Sequence, residues 1–104
     1  MQTIAASLAS STQRPLAVRL RPDLIARRQF YQGEPCWVVK DPVGLKYFRF
    51  HEEEYFILRQ FDGRTSLEEI KRRFESRFPP QKIPVEELQQ LAGNLHRSGL
   101  VLSD

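Results

Sequence analysis

Hydrophobic and polar residues alternate along the first half of the chain, and the apolar period lengthens in the second half. Segments 26–32, 36–40 and 45–50 alternate or are rich in β-branched and aromatic residues, with Gly, Pro and Asp at 33–35 and 41–44 between them. Alternation places successive side chains on opposite faces of a pleated strand, and the residues between the runs favour turns. The pattern predicts three short antiparallel strands.

From residue 51 onward apolar residues recur every three or four positions, which predicts three helices. The residues that start and stop these helices are, in chain order, His51 and Gly63, either Thr65 or Ser66 and then Pro79, and Pro84 and Gly99. The predicted core positions on their apolar stripes are Ile57, Leu58, Phe61, Leu67, Ile70, Phe74, Phe78, Leu88, Leu91, Ala92 and Leu95. Leu100 to Leu102 is expected to pack as a final extended piece.

The N-terminal region divides into two parts. Residues 1–13 are rich in Ser, Ala and Thr without an apolar period, so we expect a flexible tail. Residues 14–23 alternate Leu and Val with Arg, which indicates an extended basic arm, either an edge strand or a covering segment. A chain of 104 residues builds one core, so residues 14–104 are predicted to form a single domain.

The charge distribution narrows the range of partners. The net charge is +3, but five Arg and one Asp lie in residues 1–28, whereas residues 29–104 hold eleven basic and twelve acidic groups. The predicted domain is therefore close to neutral, which argues against nucleic acid as its partner. Cys36 is the single cysteine, so an internal disulfide is excluded and a cytoplasmic location is expected. No apolar run approaches the ~20 residues that span a bilayer, so no direct membrane insertion is expected.

One segment carries a resemblance to a known family. Three short strands are followed by a helix ending at Phe61, a Gly turn that leads into a second helix, and a third helix that ends at Gly99. The most specific part is the run Asp62-Gly63-Arg64-Thr65-Ser66-Leu67-Glu68-Glu69-Ile70. From about Leu24 to Leu102 the chain resembles the PqqD-like family. The resemblance implies an α+β, winged-helix-like fold in which a three-stranded antiparallel sheet is followed by a three-helix bundle.

The family resemblance also implies a function. PqqD-like proteins are recognition elements for ribosomally made, modified peptides: they bind the leader segment of a precursor peptide and act as peptide chaperones for a partner enzyme, often a radical-SAM protein. The segment 47–50 and the Arg-rich lead-in are also similar to the PqqD-like subgroup at the N-termini of membrane zinc proteases and secretion-associated proteins. The partner would then be a membrane protease domain or part of an export system.

By the same resemblance, a guest peptide would pair with the third strand and rest against the third helix. An open edge strand offers free backbone N–H and C=O groups, and neighbouring side chains read the guest. The residues expected to bind peptide are Lys46, Tyr47, Arg49, Gln90, Asn94 and Arg97. The competing interpretation is that Tyr47 and Arg49 lie on an ordinary solvent-exposed strand face. Gln90, Asn94 and Arg97 would likewise form an ordinary solvent-exposed polar helix face.

Other functions are weighed against this expectation. A winged-helix DNA-binding protein is the main alternative, but Glu86 and Glu87 would lie near phosphates at the start of the third helix. A structural domain packed in a larger assembly is a third possibility, and exposed strands leave homodimer formation open. No catalytic residue, metal site or cofactor is predicted, because Cys36, His51 and His96 lack suitable ligand spacing and there is no Gly-rich phosphate loop.

Overall fold

The structure is a computed structural model that describes residues 12–103. Its elements are, in chain order, β1 (Val18–Leu20), β2 (Ile25–Tyr31), β3 (Glu34–Asp41), β4 (Lys46–His51), α1 (Glu52–Arg59), α2 (Leu67–Arg77), α3 (Val85–Arg97) and β5 (Val101–Ser103). The predicted α+β class, with a three-stranded antiparallel sheet and three helices, is confirmed. The predicted tail at 1–13 lies almost entirely outside the described residues.

The larger sheet has the order β2-β3-β4. β2 and β3 are joined by Gln32 and Gly33, which both have positive φ (54° and 81°), as a tight two-residue hairpin turn requires. The predicted turn at 33–35 was too long, because Glu34 and Pro35 belong to β3. Pro35 fits there because β4 ends opposite Cys36, so its missing N–H costs no hydrogen bond to β4.

The basic arm forms a second sheet that the sequence pattern did not reveal. β1 pairs antiparallel with β5, with Arg19 opposite Leu102. On its other side the arm meets the segment after α1: the Leu20 N–H donates to the Phe61 carbonyl (2.8 Å) and the Gly63 N–H donates to the Val18 carbonyl (3.0 Å). The arm is therefore a strand that ties the C-terminus to the α1–α2 connection.

The connection between α1 and α2 is organised by Asp62. Its Oδ1 accepts hydrogen bonds from the backbone N–H of Arg64 (2.8 Å) and Thr65 (2.9 Å). Ser66 is the N-cap of α2, and its Oγ accepts from the Glu69 N–H at 3.1 Å. These contacts explain the 62–70 motif in local terms, because each polar side chain satisfies backbone donors that would otherwise lack partners.

The core lies between one face of the larger sheet and the helices. Its most deeply buried side chains are Leu58, Ile70, Leu88, Leu100 and Val39. The predicted stripes are confirmed, except that Phe78 and Leu91 are only half-buried. Trp37 of β3 stacks on Tyr55 of α1 with ring centroids 4.1 Å apart, which joins the sheet to the helical layer.

One ion-pair cluster clamps three parts of the chain together. Arg21 donates to both carboxylate oxygens of Asp41 (3.0 Å each), to Asp23 (2.7 Å) and to the Gly99 carbonyl (2.9 Å). The arm, the end of β3 and the end of α3 therefore meet at one guanidinium. The hydrogen bond from Arg21, followed by one from the Gly44 N–H, lowers the pKa of Asp41 from 3.8 to about 2.

Candidate functional site

β4 presents an open edge of the larger sheet. In residues 12–103 no strand pairs with its outer side. The His51 N–H donates to the Glu54 carboxylate at 2.8 Å, so this amide points away from β3. Because backbone groups alternate in direction along an antiparallel strand, the N–H and C=O of Tyr47 and Arg49 point to the same open side.

The β2–β3 hairpin gives independent evidence that the backbone groups of Tyr47 and Arg49 point to the open side of β4. Tyr31 and Glu34 flank a two-residue turn, so this pair exchanges both of its backbone hydrogen bonds. Alternation along β3 then directs the backbone N–H and C=O groups of even-numbered residues toward β2 and those of odd-numbered residues toward β4. Accordingly Lys46, Phe48 and Phe50 bond to β3. Tyr47 and Arg49 remain as the residues whose backbone groups are available at the edge.

The side chains of β4 divide between two faces. Phe48 and Phe50 are half-buried against the core, whereas Arg49 is exposed and Tyr47 is 66% exposed on the opposite face. Lys46 is exposed at the start of the strand, opposite Asp41. The Arg49 guanidinium lies 4.3 Å from the centroid of the Tyr31 ring. The exposed side of β4 is therefore both aromatic and cationic.

A groove of about 270 Å³ lies between α1 and α3. It is lined by Glu54, Ile57, Ile83, Glu87, Gln90, Leu91 and Asn94. The groove begins beside the end of β4, because the Glu54 carboxylate that lines it also holds the His51 amide. Arg97 does not line the groove, and its guanidinium donates to the Asn94 side-chain oxygen.

The six predicted peptide-binding residues thus fall into two groups. Lys46, Tyr47 and Arg49 lie on β4, and Gln90 and Asn94 lie in the groove, with Arg97 beside Asn94. Tyr47 and Arg49 face away from the helices, so the two groups do not share one cavity. An extended guest at the β4 edge would send alternate side chains to either face, and could contact both groups.

The sequence interpretation missed several residues of the groove. Ile57 and Leu91 were assigned to the core, and Glu87 was assigned to the start of the third helix. Ile83 was assigned to no element, although the structure buries it. The apolar period identified the faces of α1 and α3, but it carried no information on the gap between the two helices.

The chemistry of the remaining polar residues is limited. Within residues 12–103 no three His, Cys, Asp or Glu side chains are grouped so that they could hold a metal ion. The Cys36 side chain is buried, and His51 is the N-cap of α1. None of the helices in the described range is both long and apolar enough to cross a membrane.

Comparisons of the chain with models of known families, with curated proteins and with solved structures gave no match. Arguments about function therefore start from the open β4 edge, the groove beside α3 and the motif at 62–70. Of these, the β4 edge is the feature whose chemistry is most specific, because free backbone groups on a strand bind another extended chain.

Proposed function

We propose that this chain is a non-catalytic, cytoplasmic recognition module of the PqqD-like type, with a winged-helix-like arrangement of its elements. It captures an extended peptide along β4 and α3 and holds it for a partner enzyme or export system. The partner is a precursor peptide together with a radical-SAM enzyme, or a membrane protease domain. The observation that carries the proposal is the outward direction of the Tyr47 and Arg49 backbone groups at an edge that leads into a groove.

The strength of such binding can be estimated from the groups at the edge. Two residues offer four backbone hydrogen bonds, each with a net contribution of about 0.5–1.5 kcal/mol. Apolar guest side chains over Ile57, Ile83 and Leu91 would each add about 1.5–3 kcal/mol if they were fully buried. Association costs at least about 4 kcal/mol. The middle of these ranges leaves about 7 kcal/mol, so we expect a dissociation constant of about 10 μM, which suits a module that must release its guest.

The β2 edge is also open within the described residues, and the same alternation directs the backbone groups of Ala26, Arg28 and Phe30 toward it. β4 is favoured because the groove beside α3 begins where β4 ends. The Arg28 side chain, by contrast, forms an ion pair with Glu52 at 2.8 Å and covers part of the side of the sheet that faces α1. The two edges make different predictions about which amides a guest protects.

Duplex DNA is a weaker candidate for the partner. The first turn of α3 carries Glu86 and Glu87, both exposed, and its basic residues His96 and Arg97 come only in the last turn. A recognition helix usually enters the major groove with its N-terminal residues, where these carboxylates would meet phosphates. Electrostatics therefore favour a peptide guest over this nucleic acid.

The proposal is tested with peptides selected from a random twelve-residue display library on the wild-type protein. Their dissociation constants are then measured for Tyr47→Ala and Tyr47→Pro. Both variants lose the ring, but only proline also loses the outward N–H. Since that N–H bonds to no neighbouring strand, both variants should keep the wild-type fold. We expect Tyr47→Pro to bind at least about fivefold more weakly than Tyr47→Ala, the equivalent of about 1 kcal/mol for one hydrogen bond.

Amide hydrogen exchange locates the guest directly. A guest on β4 should slow exchange at Tyr47 and Arg49, while Phe48 and Phe50 change little because they already bond to β3. Protection at Ala26 and Arg28 instead would place the guest on the β2 edge. Equal affinities for the two Tyr47 variants, with no protection on β4, would contradict the proposal.

A further inference from the structure

The face of the larger sheet that points away from the helices is uncovered in the described part of the chain. We call it the outer face, and its residues are Ile25, Arg27, Gln29, Tyr31, Glu34, Cys36, Val38, Lys40, Tyr47, Arg49 and His51, as the strand registers place them. The helices pack on the opposite face, where Trp37 stacks on Tyr55. Large hydrophobic side chains on the outer face stay exposed, including Ile25 (45%) and Tyr31 (51%).

Three cations on this face have no acidic partner in the described part of the chain. Arg27, Lys40 and Arg49 come from β2, β3 and β4 respectively, and no carboxylate of residues 12–103 lies within 4.0 Å of any of them. Arg27 and Arg49 both lie opposite Val38, in one row across the sheet, and Lys40 lies two residues further along β3, in the next row on the same face. Glu34 is the one acidic residue of the outer face, and it lies at the other end near Tyr31.

The cations lie beside apolar side chains. A shallow cavity of about 320 Å³ is lined by Ile25, Arg27, Gln29, Val38, Lys40 and Tyr47. A smaller, more apolar one of about 130 Å³ is lined by Tyr31, Glu34, Pro35, Cys36, Arg49 and His51. Apolar area beside guanidinium and ammonium groups fits a ligand that has hydrophobic side chains next to carboxylates, because both kinds of group then find partners.

We propose that the outer face binds a short acidic segment of a partner protein, in which Glu or Asp alternates with apolar or aromatic residues. The face extends about 20 Å along the strands, which matches about six extended residues. This surface shares the Tyr47 and Arg49 side chains with the β4 site, but a guest paired with β4 would lie beside the sheet, about 5 Å beyond its last strand, and would not reach Arg27. Contact with Arg27 and Lys40 therefore distinguishes a segment on the outer face from a guest at the β4 edge.

An acidic protein segment fits the face better than single-stranded nucleic acid. Both Tyr rings already have a cation over them, since Lys40 lies 5.7 Å from the Tyr47 centroid and Arg49 lies 4.3 Å from that of Tyr31. Stacked bases would have to compete with these contacts. Three cations would also neutralise only about three phosphates, fewer than the ~6–10 contacts of strongly salt-dependent binding. Carboxylates, in contrast, can pair bidentately with Arg27 and Arg49 where they lie.

The test uses the full chain and two synthetic six-residue probes, one alternating Glu with Leu and Tyr, the other with Gln in place of each Glu. Binding is measured to wild type, to the variant Arg27→Gln/Lys40→Gln/Arg49→Gln, and to a control of equal charge, Arg64→Gln/Arg77→Gln/Lys82→Gln. An exposed ion pair changes an equilibrium by up to about fivefold. We therefore expect the outer-face variant to bind the Glu probe about tenfold to hundredfold more weakly than wild type does. The Gln probe should bind wild type more weakly by a similar factor, and the control variant should lose less than about threefold in affinity for the Glu probe.

Several results would overturn the proposal. One is failure of the Glu probe to bind wild type at 1 mM, about the weakest affinity that would still be meaningful. Another is equal binding of the Glu and Gln probes, which requires no protein variant. Tighter binding of a fifteen-residue oligo-dT, lost in the outer-face variant, would make this a nucleic-acid surface. A dimer in sedimentation that the outer-face variant converts to monomer would assign the face to a second copy of the chain.

Discussion

Replacing Phe74 with alanine tests whether the core lies where the structure places it. The Phe74 side chain on α2 is 4% exposed, and its ring centroid lies 5.2 Å from that of Phe78, which in turn meets Phe56 edge-on at 5.4 Å. Truncation removes the buried ring and leaves a cavity that neighbouring side chains fill only partly. Such changes cost about 3–5 kcal/mol, of which aromatic pairing accounts for about 0.5–1.5 kcal/mol.

This loss is large compared with the total stability of about 5–15 kcal/mol typical of natural domains. With a urea m-value of about 1–3 kcal/mol/M, the unfolding midpoint of Phe74→Ala should fall by about 1–5 M. In thermal unfolding each kcal/mol shifts Tm by about 4–8 °C for a domain of this size, so the loss should exceed 10 °C. Circular dichroism during urea titration measures both the midpoint and the slope.

Phe30→Ala is the matched control, because it removes the same ring from a side chain that is 71% exposed on β2. The Arg28 guanidinium lies 5.9 Å from the centroid of this exposed ring, so we expect a loss below about 1 kcal/mol. A Phe74→Ala protein within 1 kcal/mol of wild type would refute the buried position of that ring. Equal losses in the free energy of unfolding for the two variants would show that the exposure of a ring does not determine how much its removal destabilises this fold.

Two further predictions concern polar contacts. Ser66→Ala removes the N-cap acceptor of the Glu69 amide and should cost about 0.5–2 kcal/mol in urea unfolding, whereas Ser76→Ala, at an exposed position inside α2, should cost almost nothing. Because the pKa of Asp41 is lowered to about 2, its stabilising effect is complete above about pH 4 and is lost as the pH falls toward 2. The acid decline in the free energy of unfolding should therefore be shallower for Asp41→Asn, and identical declines would argue against this ion pair.

The sequence pattern predicted those features that depend on contacts between near neighbours. Alternation over residues 45–50 put Phe48 and Tyr47 on opposite faces of one strand, because a strand repeats every two residues, and the structure shows that Phe48 faces the core. The Thr65–Glu68 and Ser66–Glu69 spacings predicted the start of α2 to within one residue, because an N-cap acts within one turn, and the structure shows that Ser66 is the cap. The hairpin turn was misplaced by the presence of Pro35, a residue that strands tolerate where no neighbour needs its N–H.

The features that join distant segments could not be predicted in this way. The pairing of β1 with β5 connects residues more than 80 positions apart, and Arg21 meets Asp41 and Gly99 across the fold. The groove between α1 and α3 depends on how far apart two helices pack, and that distance is set by all the core side chains together.

The sequence by itself determined the three strands of the larger sheet, the three helices and the inward faces of those helices, because periodicity and capping are local properties. Only the tertiary structure decided that the β4 edge stays open in the described residues, and that Tyr47 and Arg49 direct their backbone groups to it. It also placed Arg27, Lys40 and Arg49 side by side. Strand order and register decide both points, and they are properties of the assembled sheet.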